Sequence, residues 1–102
     1  MGTYALIYTG GGMAEDPAEQ QASMDAWMGW FGQLGDAVKE VGAPFAASTA
    51  VLGDGSRGEA ASRASGYSVL TADSLEAAAD LAKGCPILAT GGAVEVFETV
   101  QM

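Results

Sequence analysis

The run Gly66-Tyr67-Ser68-Val69-Leu70-Thr71, followed almost at once by Asp73-Ser74-Leu75-Glu76, decides the fold. The first six residues include aromatic, β-branched and aliphatic side chains and read as a strand. The next four carry a capping box, a polar residue that takes an orphan amide with an acid three positions on, so a helix begins after almost no loop. Asp73 is the expected cap. The helix over residues 74–83 places Leu75, Ala78, Ala79 and Ala82 on one face, small enough to lie close against a sheet. It ends in Lys83-Gly84-Cys85-Pro86, a cation, a glycine and a proline stop. After residues 87–92 the chain alternates to residue 100, with Val94, Val96 and Val100 on one face and Glu95, Phe97 and Thr99 on the other.

The N-terminal half repeats this plan. Residues 3–9 (TYALIYT) predict a strand with Tyr4, Leu6 and Tyr8 on one face, ending at Gly10-Gly11-Gly12. Asp16 as cap, Pro17 at the first helical position and Glu19 completing a capping box start a helix. Met24, Trp27, Met28, Phe31, Leu34, Val38 and Val41 then recur at three- and four-residue spacing, which predicts a helix to about Val41. Gly29, Gly32 and Gly35 each weaken such a helix by up to about 1 kcal/mol, so a close packing approach is expected there. Lys39, Gly42 and Pro44 repeat the exit seen after the other helix. Residues 45–52 read as a second strand and residues 53–65 as a long polar loop. Two strand-helix-strand units result, the pattern of a ferredoxin-like βαββαβ fold: α+β, a four-stranded antiparallel sheet with two helices on one face. The bare face calls for a partner, and a second copy of the chain is the simplest one.

Composition sets the functional limits. The 102 residues make one domain, residues 1–102. Thirteen acidic against four basic side chains give a net charge of -9, which disfavours nucleic acid and anionic membranes as partners. No histidine is present, removing the commonest base and metal ligand. No metal or other cofactor is expected, because only scattered carboxylates remain as ligands. The single Cys85 allows no intrachain disulfide, no apolar leader follows the first Met, and no run is long enough to span a bilayer. A cytoplasmic setting is the expectation. Gly10 to Gly12 is not a phosphate loop, since neither Gly-Lys-Ser nor a spaced glycine fingerprint follows.

Gly66-Tyr67-Ser68-Val69-Leu70, Ala72-Asp73-Ser74-Leu75-Glu76-Ala77-Ala78, Lys83-Gly84-Cys85-Pro86 and Gly91-Gly92-Ala93-Val94-Glu95-Val96 together resemble the YCII-related family of small bacterial proteins. The N-terminal half is similar through its first strand, Trp27 and Trp30, and the Gly-x-Pro-Phe at Gly42 to Phe45. The resemblance implies a dimeric α+β barrel with two sheets face to face and a pocket beside the long helix. It also implies a superfamily of enzymes acting on aromatic or cyclic molecules. The His-Asp pair proposed for its founding members has no counterpart in a chain without His. The family's Asp-Gly-Pro-Phe is also missing, as Asp54-Gly55 is followed by Ser56.

The candidate residues follow. Glu95 faces away from Val94 and Val96, toward the expected dimer side, where a semi-apolar setting would suit a general acid or base or a bond across the interface. Tyr8, near the glycine turn, is the second proton-transfer candidate, or else a hydroxyl bonded to backbone. Trp27 falls within the apolar helix face, as a core residue or a stacking wall for a flat ligand, whereas Trp30 sits at its edge, as a pocket rim or interface anchor. Phe31 shares that face. Arg57, in the long loop, offers a bidentate clamp for an anion if the loop folds over the pocket. Cys85 reads as a packed thiol. The sequence predicts a homodimer binding a small apolar or aromatic organic acid, with a cofactor-free lyase or isomerase as the alternative.

Overall fold

The computed structural model describes residues 2–10 and 16–100; the expected turn at Gly11 and Gly12 lies outside the described residues. Strand β1 (Gly2–Thr9) is followed by helix α1 (Pro17–Leu34), a 3-10 turn (Gly35–Ala37) and strand β2 (Val38–Pro44). Two short strands, β3 (Ala50–Val51) and β4 (Arg57–Gly58), precede β5 (Ala64–Ala72), helix α2 (Leu75–Ala82), a 3-10 turn (Pro86–Thr90) and β6 (Ala93–Glu98). The four long strands form one antiparallel sheet in the order β2-β5-β1-β6, compatible with a ferredoxin-like fold. No helix among the described residues is long and apolar enough to cross a membrane.

The start of α1 follows its sequence signals: Asp16 Oδ1 accepts the Ala18 amide at 2.9 Å and Pro17 opens the helix. Its end does not. The helix stops at Leu34 because Gly35 takes φ +56°, a backbone open to glycine, and its amide bonds back to the Phe31 carbonyl. Residues 38–44, expected as the helix end, are instead an edge strand paired with β5. The spacing of Val38 and Val41 suits a helix, and pairing with β5 overrides it. Gly42 is therefore a bulge residue, not a helix cap. Its φ is +78°, and an added Cβ would collide with the Tyr67 carbonyl. Gly29 and Gly32 meet nothing within 4 Å, so no close approach offsets their cost to α1.

Residues 45–52 do not form a strand of the main sheet. Only Ala50 and Val51 pair, with Arg57 and Gly58, in a separate hairpin inside what was expected as a loop. Its turn is closed by Asp54, whose Oδ1 accepts the Ser56 amide at 2.9 Å and the Ser56 hydroxyl at 2.6 Å. These bonds hold the Asp54 carboxyl below its ordinary range. Helix α2 is capped by Ser74, not Asp73, with the Ser74 Oγ accepting the Ala77 amide at 3.1 Å. A hydroxyl serves this position as well as a carboxylate does.

Alternation along β1 and β5 divides the sheet into two faces. Tyr4, Leu6, Tyr8, Ser68, Leu70 and Ala72 are buried on the helix side. Leu6 and Leu70 are wholly buried, each contributing roughly 1.5–3 kcal/mol. Trp30, Ala82, Cys85 and Ile87 complete that core. The opposite side carries Ala5, Ile7, Tyr67 and Val69, flanked by Glu95 and the exposed Phe97. The molecule is thin, 44 × 40 × 19 Å, with a radius of gyration of 14.9 Å. A compact chain of this length has about 13 Å.

A candidate ligand cleft between α1 and the β2 edge

Helix α1 is held to the rest of the molecule by its aromatic residues. Trp30 is 4% exposed and donates its indole N–H to the Leu81 carbonyl of α2 at 3.2 Å. Beneath it, Gly84 leaves room for the ring, since a Cβ there would stand 3.2 Å from the indole. Trp27, half-buried, meets Tyr8 edge-on at 5.0 Å between ring centres and lies 6.0 Å from Phe31. The preceding turns of α1 stand away from the sheet. Between them and the β2 edge opens a cleft of about 530 Å³.

Tyr8, Trp27 and Phe31 line this cleft, with Met24 and Met28 of α1 on one side and Val41 to Pro44 of β2 on the other. Met24 and Met28 are 63% and 69% exposed and form an apolar rim with Val41. Its floor comes from Ser65 to Ser68 of β5 and from Pro86 and Ile87. No charged side chain is among the described lining residues.

Three of the sequence candidates, Tyr8, Trp27 and Phe31, thus come together. Trp30, expected at a rim or interface, is instead a core anchor, because its indole N–H bonds to the Leu81 carbonyl of α2. Trp27 packs against the core and also walls the cleft, where it meets Tyr8 edge-on. Glu95 is exposed on the far side of the sheet, paired with Ile7, whereas its neighbour Val94 pairs with Tyr8. Glu95 and Tyr8 therefore occupy opposite faces and cannot serve one reacting centre within a chain. Arg57 is exposed in the β3-β4 hairpin and does not line the cleft.

The β2 wall was missed from sequence, because residues 38–44 read as helix. Gly42-Ala43-Pro44, a glycine and a proline two positions apart, was the available signal for an irregular edge.

Four hydroxyls that line the cleft are already engaged within the protein. The Tyr8 hydroxyl donates to Ser68 Oγ at 2.7 Å, and Ser68, fully buried, donates to the Val41 carbonyl at 2.6 Å. Ser65 Oγ donates to the Tyr8 carbonyl at 3.2 Å, and Thr90 Oγ1 to the Ile87 carbonyl at 2.9 Å. On the other face of the sheet the Tyr67 hydroxyl donates to Glu40 Oε1 at 2.6 Å, and this bond raises the Tyr67 phenol above its ordinary range. Burial pushes the Tyr8 phenol up to about 12, against a smaller opposing effect of Ser68. Beside it, burial pushes the Cys85 thiol up to about 11, so it stays protonated and unreactive at neutral pH. Among the described lining residues only Tyr8 and Tyr67 titrate at all.

Such a cleft can hold a flat apolar body against aromatic walls. Among the described lining residues no group is poised for proton transfer at neutral pH. No family model matches this chain, and neither does a curated protein or a solved structure.

Proposed function

We propose that this chain is a homodimeric ligand-binding protein of the YCII-related type, located in the cytoplasm, whose cleft between α1 and β2 takes a small apolar or aromatic molecule without turning it over. The observation that carries this reading is the cleft itself, about 530 Å³ and walled by Tyr8, Trp27 and Phe31, within the usual size of small-molecule sites. Of the expected organic acid, the apolar body is what these walls support. A carboxylate on it would sit at the open mouth in water, because no cation lines the cleft. The lyase or isomerase alternative is less well supported, since Tyr8 holds its proton far above neutrality. The single buried thiol of Cys85 accords with a reducing compartment.

The dimer proposal rests on the face formed by Ala5, Ile7, Tyr67, Val69 and Phe97, and on the 19 Å thickness that a second sheet would double. In such a dimer Glu95 lies at the contact.

Calorimetric titration with 2-methoxynaphthalene, an uncharged flat probe, tests the cleft. Saturable one-to-one binding is expected, reduced by Trp27→Ala; absence of binding up to the probe's solubility limit refutes it. Light scattering at micromolar concentration should give the mass of two chains, and a monomer mass refutes the assembly.

A further inference from the structure

We propose that the natural ligand of the cleft is a lipophilic cation, an aromatic or branched apolar body carrying an ammonium or quaternary ammonium group. The inference rests on the reading of the cleft as a ligand site and adds the sign of the charge it selects.

Three independent features point the same way. The first is where the protein keeps its own cations. Lys39 is exposed on β2, Arg57 is exposed in the hairpin, Arg63 is exposed just before β5, and Lys83 pairs with Asp80 at 3.0 Å. None of these four, the whole complement of Lys and Arg, lines the cleft. An anion entering it would lose water and gain no counter-charge, inside a molecule of net charge -9.

The second feature is the direction of the hydroxyl hydrogens. Tyr8, Ser65, Ser68 and Thr90 all line the cleft, and each donates its hydrogen to an acceptor within the protein. A carboxylate or phosphate needs donors and finds these four already committed, which leaves Ser23, on the exposed wall of α1, among the described lining hydroxyls. What the hydroxyls leave open is acceptor capacity, which suits the N–H groups of a ligand ammonium.

The third is the wall chemistry. Trp27, Tyr8 and Phe31 present aromatic rings, whose negative faces attract cations, most strongly for indole. Met24 and Met28 add polarisable thioethers at the mouth, adaptable to ligands of different shape.

The test is calorimetry of the intact protein at neutral pH and low salt with three naphthalenes of one ring system: 2-naphthyltrimethylammonium, 2-methoxynaphthalene and 2-naphthoate. The cation should bind about tenfold more tightly than the neutral ring, with naphthoate weakest. Equal affinities, or naphthoate binding best, overturn the charge assignment while leaving the cleft reading intact. Binding by none of the three overturns both. Trp27→Leu should cut the cation's advantage over the neutral probe to about threefold or less, and an unchanged advantage overturns the role given to the ring face. Phe31→Leu, read the same way, serves if circular dichroism finds Trp27→Leu unfolded.

Discussion

The two strand-helix-strand halves of the sheet use the same plan with different side chains. In the C-terminal half, α2 lies close on Ala78 and Ala82, with Ala78 fully buried, and leaves no comparable space beneath it. In the N-terminal half, α1 reaches the core through large aromatic rings, of which Trp30 alone is fully packed. Small residues close a helix onto a sheet; rings hold it off like struts and leave a gap along part of its length. That gap is the cleft. The difference teaches that in this fold the cleft arises from mismatch between the halves, not from an added loop.

The sharpest way to break the comparison is to remove the strut. Trp30→Ala should cost roughly 3–5 kcal/mol, since the ring is buried and ties α1 to α2, whereas Trp27→Ala should cost only about 1–2 kcal/mol and lose probe binding. Urea unfolding of both variants checks this, and equal losses would mean that α1 has no single anchor.

The second prediction concerns Tyr8, where the halves meet. Its phenol is raised from 10.0 to about 12 in the folded chain, so folding favours the protonated form. The stabilisation is intact below pH 10 and is lost as pH rises from 10 through 12. It amounts to something of order 2 kcal/mol, discounted for the water that reaches the cleft wall. Cys85 acts in the same sense between 9 and about 11. Tyr8→Phe should flatten the fall in stability above pH 10 in urea midpoints, and Cys85→Ala should flatten it from pH 9.

Overpacking sharpens the contrast further. Ala78→Leu under α2 should cost roughly 1–3 kcal/mol, while Ser23→Leu on the cleft wall should change stability by less than about 0.5 kcal/mol and narrow the site. Thermal melts and probe titration read the two effects separately. The smallest effect is a gain: Gly29→Ala, with nothing near its added Cβ, should stabilise α1 by about 0.5–1 kcal/mol without altering probe affinity.

Legibility in the sequence followed the same divide. The C-terminal half was readable apart from its cap, which is Ser74 and not Asp73, because its strands and small-residue face agree with one another. The start of α1 was readable for the same reason, through Asp16 and Pro17. Its end was not, since Lys39-Glu40-Val41-Gly42-Ala43-Pro44 has the ending found after α2, Lys83-Gly84-Cys85-Pro86, yet becomes an edge strand. Local signals there are equal, and the open hydrogen bonds of β5 settle the matter through contacts remote in sequence. Misplacing β2 concealed one wall of the cleft. The tryptophans were identifiable as important but not assignable, because which ring bonds to α2 and which meets Tyr8 is set by contacts remote in sequence. Glu95 was placed correctly on the face away from the helices, and its separation from Tyr8 follows from the β1-β6 register, which no composition or spacing reveals.

The bulge at Gly42 has one more consequence. β2 and β6 are the two borders of the sheet, and an unguarded border recruits strands from other molecules into fibrils. The kink at Gly42 and the missing amide of Pro44 spoil one border, and the carboxylates of Glu95 and Glu98 bring like charges together along the other. Lateral growth is blocked on both sides. Copies of this chain at high concentration are thereby steered away from edge-to-edge strand pairing.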